Sequence, residues 1–292
     1  MLPARFEYHR PSTLDEALET LSAHADDAKV LAGGQSLLPL LKLRFAQPGH
    51  LIDINRIEGF DGIEEEGGTL RVGALARHNA LADSALVASR SPAMATAAPL
   101  ISDPLVRNLG TIGGSLAHAD PAGDWGSVML AVGASVALRG SKGERELPIA
   151  EFLQDTFTTA LQPDEILTEV RVPIPSVRSG GTYLKLERKV GDFATVGVAV
   201  QLELSNGNVG RAGVALTAVG SRNIEATEAE AALAGSEPTE EAFAEAGRLA
   251  AAAADPIADV RGSAEYKRHV VEVFVRRGLQ RSLAQARGEG GN

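Results

Sequence analysis

The sequence predicts an α+β protein of two domains, and three observations support this prediction. Helical and strand patterns alternate between residues 13 and 54, which is typical of a small α/β unit. Pro173 and Pro175, followed by residues 176–181, mark the best candidate domain boundary. Beyond that boundary, strands are followed by three helical segments, which predicts a smaller α+β domain with a three-stranded sheet.

The first lobe is predicted over residues 1–57. Thr13 and Glu16 fit a capping box, and apolar residues then recur at helical spacing. A buried strand is predicted at 29–32, a helix from Leu37, and a second strand at 50–54.

A second lobe is predicted over residues 58–176, and it completes the first domain. Its predicted elements are strands at 69–74, 133–139 and 165–172, alanine-rich helices within 77–100, and a hairpin turn at 140–143.

The second domain is predicted over residues 177–287, and residues 288–292 are expected to form a flexible tail. Its predicted elements are strands at 196–204 and 209–219 and helices at about 223–234, 238–254 and 263–286.

Composition excludes several classes of function. The chain carries 28 basic and 38 acidic residues, a formal net charge of −10, without a basic patch that would bind nucleic acid. It contains no cysteine, which excludes disulfides, a thiol nucleophile and any iron–sulfur cluster held by its own thiolates. No signal peptide or membrane span is expected, so we expect a cytoplasmic protein.

Motif patterns leave little support for a hydrolase or a metalloenzyme. The sequence has no P-loop, no GxGxxG after a strand, no HExxH and no GxSxG. Its six histidines are scattered singly along the chain, so no metal site and no catalytic residue is predicted.

Two double-glycine loops remain as the candidate site. One is Ala32-Gly33-Gly34-Gln35-Ser36, and the other is Thr111-Ile112-Gly113-Gly114-Ser115. Glycine pairs let successive N–H groups turn toward one point, and nearby hydroxyls add donors for a phosphate. Ordinary tight turns explain the same residues about equally well. The residues alone therefore indicate a candidate nucleotide-phosphate site and nothing finer.

These loops, with Leu37-Leu38-Pro39 after the first, resemble the FAD-binding loops in the medium subunit of molybdenum hydroxylases. That group includes aerobic carbon monoxide dehydrogenase and, more distantly, the flavin domain of xanthine dehydrogenase. The resemblance spans the chain, because further segments match in order. They are Phe6-x-Tyr8-x-x-Pro11, residues 120–124, residues 165–167 and residues 185–194.

The resemblance implies a two-lobed FAD-binding domain of the p-cresol methylhydroxylase type, followed by the smaller α+β domain, with FAD between them. The residues that it implies for the cofactor are Ala32, Gly33, Gly34, Gln35, Ser36, Leu37, Thr111, Ile112, Gly113, Gly114, Ser115, Asp124, Leu167, Lys185 and Phe193. Without the resemblance, Leu167 and Phe193 would be interpreted as core residues, Lys185 as a surface lysine and Asp124 as a helix cap.

Two positions depart from the family pattern. Many members have asparagine at the position of Ser115 and tyrosine at that of Phe193. Serine keeps a hydroxyl, so binding is expected to survive. Phenylalanine lacks the hydroxyl, so no side-chain hydrogen bond is expected from that position.

The function that the resemblance implies is electron transfer through FAD, with no acid–base step by this chain. Partners would be a small subunit with two 2Fe–2S clusters and a large subunit with the molybdenum cofactor, in a dimer of heterotrimers. A stand-alone flavin oxidase and a non-redox nucleotide-binding subunit remain alternatives. The substrate and the terminal electron acceptor are left open.

Overall fold

The computed structural model describes residues 2–289, which form three main β-sheets flanked by helices. Apolar side chains collect in three clusters, one under each sheet. This arrangement confirms the expected α+β class, with two lobes followed by a smaller sheet-and-helix region.

The first lobe has a parallel three-stranded sheet in the order β1-β3-β2. Its elements are β1 Glu7–His9, α1 Leu14–Ala23, β2 Ala28–Leu31, α2 Leu37–Leu43 and β3 His50–Asp53. Thr13 caps α1 by accepting a hydrogen bond from the Glu16 N–H, as predicted. The Glu16 carboxylate accepts a hydrogen bond from the Ser12 N–H, one residue before the cap. Strand β1 was not predicted, because three residues are too few to show a period.

The second lobe is an antiparallel sheet in the order β4-β5-β10-β6-β7. The strands of this lobe, with a small separate hairpin (β8, β9), are β4 Ile63–Glu66, β5 Thr69–Gly73, β6 Ser135–Gly140, β7 Gly143–Pro148, β8 Leu153–Asp155, β9 Thr158–Thr159 and β10 Glu165–Pro173. Its helices are α3 His78–Asp83, α4 Ala85–Arg90, α5 Pro92–Ala97, α6 Pro104–Leu109, α7 Ile112–His118, α8 Asp124–Val132 and α9 Ile149–Phe152. All nine residues of α8 are buried, so this helix lies in the interior of the protein.

The third sheet has four antiparallel strands, which corrects the predicted three. Its elements are β11 Ser179–Leu186, β12 Val196–Ser205, β13 Asn208–Thr217, β14 Ile224–Glu225, α10 Thr227–Leu233, α11 Glu240–Ala253 and α12 Ala264–Ala286. Strand β14 occupies the start of the helix predicted from residue 223. Two residues of strand next to a helical pattern leave no separate signal in the sequence.

Close backbone contacts hold the third sheet to its neighbours. A Cβ on Gly213 of β13 would lie 1.9 Å from the Ala131 carbonyl oxygen of α8. A Cβ on Gly180 of β11 would lie 2.1 Å from the Ser282 carbonyl oxygen of α12. The sheet therefore packs between α8 and α12 at distances that only glycine permits at these positions.

The first lobe brings three histidines together, which corrects the expectation that all histidines stand singly. His50 begins β3, His9 ends β1 and His24 follows α1. The His24 and His50 rings stack with centroids 3.6 Å apart, and the His9 and His50 centroids are 5.3 Å apart.

Two further expectations concern membrane spans and the C-terminal tail. Within residues 2–289, no helix is both long and apolar enough to cross a bilayer. Of the expected flexible tail, residues 290–292 lie outside the described residues. The N–H groups of Gly288 and Glu289 donate hydrogen bonds to carbonyl groups near the end of α12.

Candidate functional site

The first double-glycine loop offers a run of unpaired N–H donors. It connects β2 to α2, as predicted, and Gly34 turns the chain with a φ of +72°. The N–H groups of residues 33–37 have no acceptor within the described part of the chain. The Ser36 side chain forms no capping bond. Five adjacent donors at a partly exposed turn form a backbone surface suited to an anion such as a pyrophosphate.

The second double-glycine loop contributes differently. The N–H groups of Ile112 and Gly113 donate to the carbonyl oxygens of Ala76 and Ala74, at 3.1 and 3.0 Å. Those of Gly114 and Ser115 donate to the Thr111 side chain and carbonyl, at 3.1 and 3.0 Å. What this loop still offers to a ligand is the Thr111 N–H and the Ser115 hydroxyl. Sequence reasoning treated the two loops alike, and the structure separates their roles.

The two loops lie against each other. A Cβ on Gly33 would lie 2.3 Å from the Leu109 carbonyl oxygen and 2.7 Å from Gly110 Cα. A Cβ on Gly114 would lie 3.6 Å from Ala32 Cβ. The loops therefore form one cradle, and glycine at position 33 is what lets them approach.

Asn55 and Arg77 link the two loops through hydrogen bonds to their carbonyl groups, and sequence reasoning missed both residues. Asn55 Nδ2 donates to the Ala32 carbonyl at 2.8 Å. Arg77 donates to Asn55 Oδ1 at 2.6 Å and also to the Leu109 carbonyl oxygen. Burial lowers the pKa of the Arg77 guanidinium from its ordinary value. No sequence signal links these residues, because Ala32, Asn55, Arg77 and Leu109 are each more than twenty positions apart along the chain.

Two other residues predicted for the cofactor, Asp124 and Lys185, belong to a buried ionic cluster. Asp124, the first residue of α8, accepts hydrogen bonds from Tyr183 at 2.6 Å and from Lys185 Nζ at 3.0 Å. Lys185 Nζ also donates to the Leu100 carbonyl at 2.9 Å and lies 3.5 Å from Glu187 Oε2. Burial raises the pKa of the Asp124 carboxyl, while the Lys185 charge acts in the opposite direction. Burial also raises the pKa of Tyr183 well above its usual range, with the Asp124 charge adding to the effect.

This cluster corrects the interpretations that the sequence alone favoured for two residues. The Lys185 side chain is only 2% exposed, so it is not a surface lysine. The cap of α8 is Gly123, so the Asp124 carboxylate serves Tyr183 and Lys185 rather than the helix end. Charged side chains are rarely buried unless they are paired, and perturbed pKa values cluster at functional sites.

Leu167 and Phe193 differ in their surroundings. Leu167 lies in the core of the second lobe and is buried. Phe193 is 54% exposed, so it is not a core aromatic. Its loop is packed on the second lobe, because the backbone of Ser102 and Asp103 lies against Gly191. Ser102 itself adopts a φ of 47°, which is uncommon for a residue with a side chain. The exposed ring therefore lies on a fixed loop, next to a strained turn of the second lobe.

An FAD molecule fits the donor set of these residues. The free N–H run and the Ser115 hydroxyl match pyrophosphate oxygens, and the Asp124–Lys185 pair offers an acceptor and a donor to a polar ligand. The cradle needs few cations because backbone dipoles supply the positive potential, which suits a chain of net charge −10.

Comparison with known proteins gives concordant matches over the whole chain. The family model described as "FAD binding domain in molybdopterin dehydrogenase" matches residues 4–175. The model described as "CO dehydrogenase flavoprotein C-terminal domain" matches residues 181–282.

Individual relatives match at comparable coverage. The chain is 44% identical over 285 residues to the carbon monoxide dehydrogenase medium chain of Hydrogenophaga pseudoflava, covering 98% of this chain and 99% of that protein. A chain in the solved structure of carbon monoxide dehydrogenase from the same organism superposes with a TM-score of 0.95 at 46% identity, covering 98% and 99%. A chain of quinoline 2-oxidoreductase from Pseudomonas putida 86 superposes with a TM-score of 0.91 at 31% identity, covering 99% of each.

Proposed function

Because the chain belongs to the family of FAD-binding domains of molybdopterin dehydrogenases, we propose that it is the electron-transfer flavoprotein subunit of a complex similar to carbon monoxide dehydrogenase. Its FAD would take electrons from iron–sulfur clusters on a partner subunit and pass them to an external acceptor. Identity to chains of that enzyme is 38–46%, against 38% to a subunit of the 6-hydroxypseudooxynicotine dehydrogenase complex and 31% to quinoline 2-oxidoreductase. The carbon monoxide assignment therefore rests on the relative from Hydrogenophaga pseudoflava, at 44–46%.

The observation that carries the proposal is the run of free N–H groups at residues 33–37, held against the loop that bears Thr111 and Ser115. Backbone donors that are shielded from solvent normally find an acceptor in the protein or in ordered water. Five successive donors without one, in a rigid cradle, are explained by a ligand that supplies several oxygen acceptors. A pyrophosphate has this chemistry.

Each group of residues would have a separate task toward FAD. Residues 32–37, with residues 111–115, would bind the pyrophosphate and the adjoining ribose, and Asn55 and Arg77 would keep the cradle closed. Asp124 and Lys185 would position the part of the cofactor that reaches the third sheet, with Leu167 and Phe193 beside it. FAD, once bound, supplies the redox chemistry, since it accepts and donates electrons.

The chain's own titratable groups are arranged for positioning rather than for acid–base catalysis. Both Asp124 oxygens are engaged, and Lys185 Nζ has two hydrogen-bond acceptors. An oxidase with its own organic substrate would need a base free to take a proton. This arrangement supports electron transfer over the stand-alone oxidase.

The proposed partners follow from the family and from composition. The chain has no cysteine, so thiolate-held clusters belong on another subunit. We assign two 2Fe–2S clusters to a small subunit and the molybdenum cofactor to a large one, in a cytoplasmic dimer of heterotrimers. A solved relative at 38% identity and a TM-score of 0.94 belongs to Cu,Mo-CO dehydrogenase, which supports this assignment.

We also propose the division of the chain into an FAD-binding domain of residues 1–176, with lobes of about 1–57 and 58–176, and a second domain of residues 177–287. The two family models leave a gap at 176–180, and this gap supports a division there.

The test is flavin retention by the full chain. The purified chain is incubated with FAD and desalted, its visible spectrum is recorded, and the released cofactor is identified by mass. We expect a two-band flavin spectrum that bleaches on reduction with dithionite. Co-purification with the partner subunits, followed by addition of carbon monoxide, should reduce the same flavin.

The other outcomes distinguish the alternatives. Retained FAD that does not bleach would indicate a non-redox nucleotide-binding subunit. Flavin reduction in the isolated chain by a small organic substrate would indicate an oxidase. No FAD in either the chain or the complex would refute the proposal, and reduction of the complex by an N-heterocycle but not by carbon monoxide would refute the substrate assignment.

A further inference from the structure

A cluster of histidines and a carboxylate in the first lobe includes none of the residues that we assign to flavin binding. Strands β1 and β3 are parallel neighbours, and Glu7 is paired with His50 in their register. His9 lies two residues after Glu7, on the same face of β1, because side chains alternate along a strand. His24 follows the end of α1 and stacks on the His50 ring.

The nitrogens and the carboxylate lie at distances suited to a common ligand. His9 Nε2 is 3.0 Å from His50 Nδ1, and His50 Nδ1 is 3.6 Å from Glu7 Oε2. All three ligand atoms lie within 4.8 Å of one another. Zinc bonds of 2.0–2.2 Å in a tetrahedral site place ligand atoms about 3.3–3.5 Å apart. Two of the three spacings are therefore within a few tenths of an ångström of what a tetrahedral ion needs.

The chemistry of the donors selects a class of metal. Two imidazoles and one carboxylate suit zinc and its borderline neighbours, whereas magnesium and calcium prefer all-oxygen sites. His9 and His50 share one hydrogen bond, so one of the two facing nitrogens carries a proton that a metal ion would displace. Among residues 2–289, the Glu7 carboxylate forms no ion pair with a lysine or arginine, and its ionisable neighbour is His50.

The surroundings restrict how the site can move. The His24 ring lies against His50 with an angle of 14° between the planes, which limits rotation of the His50 ring. Asp27 Oδ1 accepts a hydrogen bond from the Gly49 N–H, which fixes the residue before His50. Groups around a metal ligand that hold its orientation are typical of metal sites.

We propose that Glu7, His9 and His50 bind a divalent transition-metal ion of the zinc class, which joins β1 to β3. Glu7 is exposed and His9 and His50 are half-buried, so the ion has access from solvent and a water molecule completes its coordination. The ion stabilises the first lobe, and the chemistry at the flavin does not involve it.

The test is calorimetric titration of the untagged full chain with zinc chloride after treatment with a chelator. We expect one ion per chain. Glu7→Gln, His9→Gln and His50→Gln should each weaken binding at least about tenfold, since even groups that only orient a ligand cost 10–100-fold. His269→Gln is the matched control, because His269 is an exposed histidine on α12, and it should bind as the wild type does.

A second measurement keeps the test independent of folding defects in the histidine variants. Co²⁺ should give the wild-type chain a visible absorption spectrum typical of tetrahedral nitrogen and oxygen ligands, and Glu7→Gln should alter it while keeping the wild-type circular dichroism. Wild-type binding no tighter than that of His50→Gln would overturn the proposal. A cobalt spectrum unchanged in Glu7→Gln would also overturn it.

Discussion

Gly33→Ala tests the cradle directly, because an added methyl group would separate the two loops. The new Cβ would lie 2.3 Å from the Leu109 carbonyl oxygen, 2.7 Å from Gly110 Cα and 3.0 Å from the Leu109 carbonyl carbon. All three atoms belong to the backbone, so no side chain can rotate away to make room. The loop at 109–111 must therefore move relative to residues 32–37.

The required movement sets the size of the effect. Ordinary contact for a Cβ begins at 3.4 Å, so the loops must separate by about 1 Å. Charge-assisted hydrogen bonds to phosphate have lengths of about 2.7–2.9 Å, and a bond that is 1 Å longer is lost. Such bonds contribute about 1.5–3 kcal/mol each. The loss of two would cost about 3–6 kcal/mol, which is at least on the order of 100-fold in the Kd for FAD.

The assay is titration of the full-length apoprotein with FAD, followed by flavin fluorescence, with thermal unfolding measured in parallel. Gly62→Ala is the matched control, because a Cβ there would meet only the Glu64 carboxylate at 3.6 Å. Gly114→Ala should have an intermediate effect, since its Cβ would meet the Thr111 hydroxyl at 2.8 Å. A folded Gly33→Ala chain with a Kd within about threefold of the wild type would refute the argument that the loops grip one ligand.

Three further predictions concern stability, each measured by chemical denaturation. Tyr183→Phe removes a buried hydrogen bond to Asp124 and should lower the free energy of unfolding by about 2 kcal/mol; an unchanged value would show that the bond is not formed. Burial raises the pKa of Glu230 to about 7, so the wild type should lose stability as the pH rises from 4.5 through 7. Glu230→Gln should remove this loss, and the exposed Glu228→Gln should retain it. Burial lowers the pKa of His78 to about 4, so stability should fall as the pH falls from 6.5 to 4, and His78→Asn should show a smaller fall than the wild type.

Much of the fold could be predicted because its elements have local signals. The apolar run before Gly33 and the apolar helix after Ser36 placed the first loop at a strand–helix junction, and the structure confirms that location. The clean alternation from Val196 to Leu204 likewise predicts β12. Strands β1 and β14 were missed because they are three and two residues long, and pairing with neighbours rather than their own sequence makes them strands.

The candidate site was less predictable, because its energetics depend on contacts between distant residues. No strand was predicted around Lys185, and sequence reasoning did not show that Asp124 lies 3.0 Å from its ammonium group. The three histidines of the first lobe are 15 and 26 positions apart in sequence. The parallel pairing of β1 with β3 brings His9 to His50, and the end of α1 places His24 against His50. The two glycine loops differ in whether their N–H groups have acceptors within residues 2–289, and those acceptors lie in other parts of the chain as well as in the loop itself.

The position of Asp124 has a consequence for how the two parts of the molecule are coupled. Asp124 begins the buried helix α8, while Tyr183 and Lys185 lie on β11, so their bonds cross from the second lobe to the third sheet. An FAD molecule that contacts this cluster and the cradle would bind only where both parts are docked. A ligand that binds only the docked state stabilises that state by a free energy that increases with the ratio of ligand concentration to Kd. Under the proposed function, cofactor binding and docking of the third sheet therefore reinforce each other, and loss of either one should weaken the other.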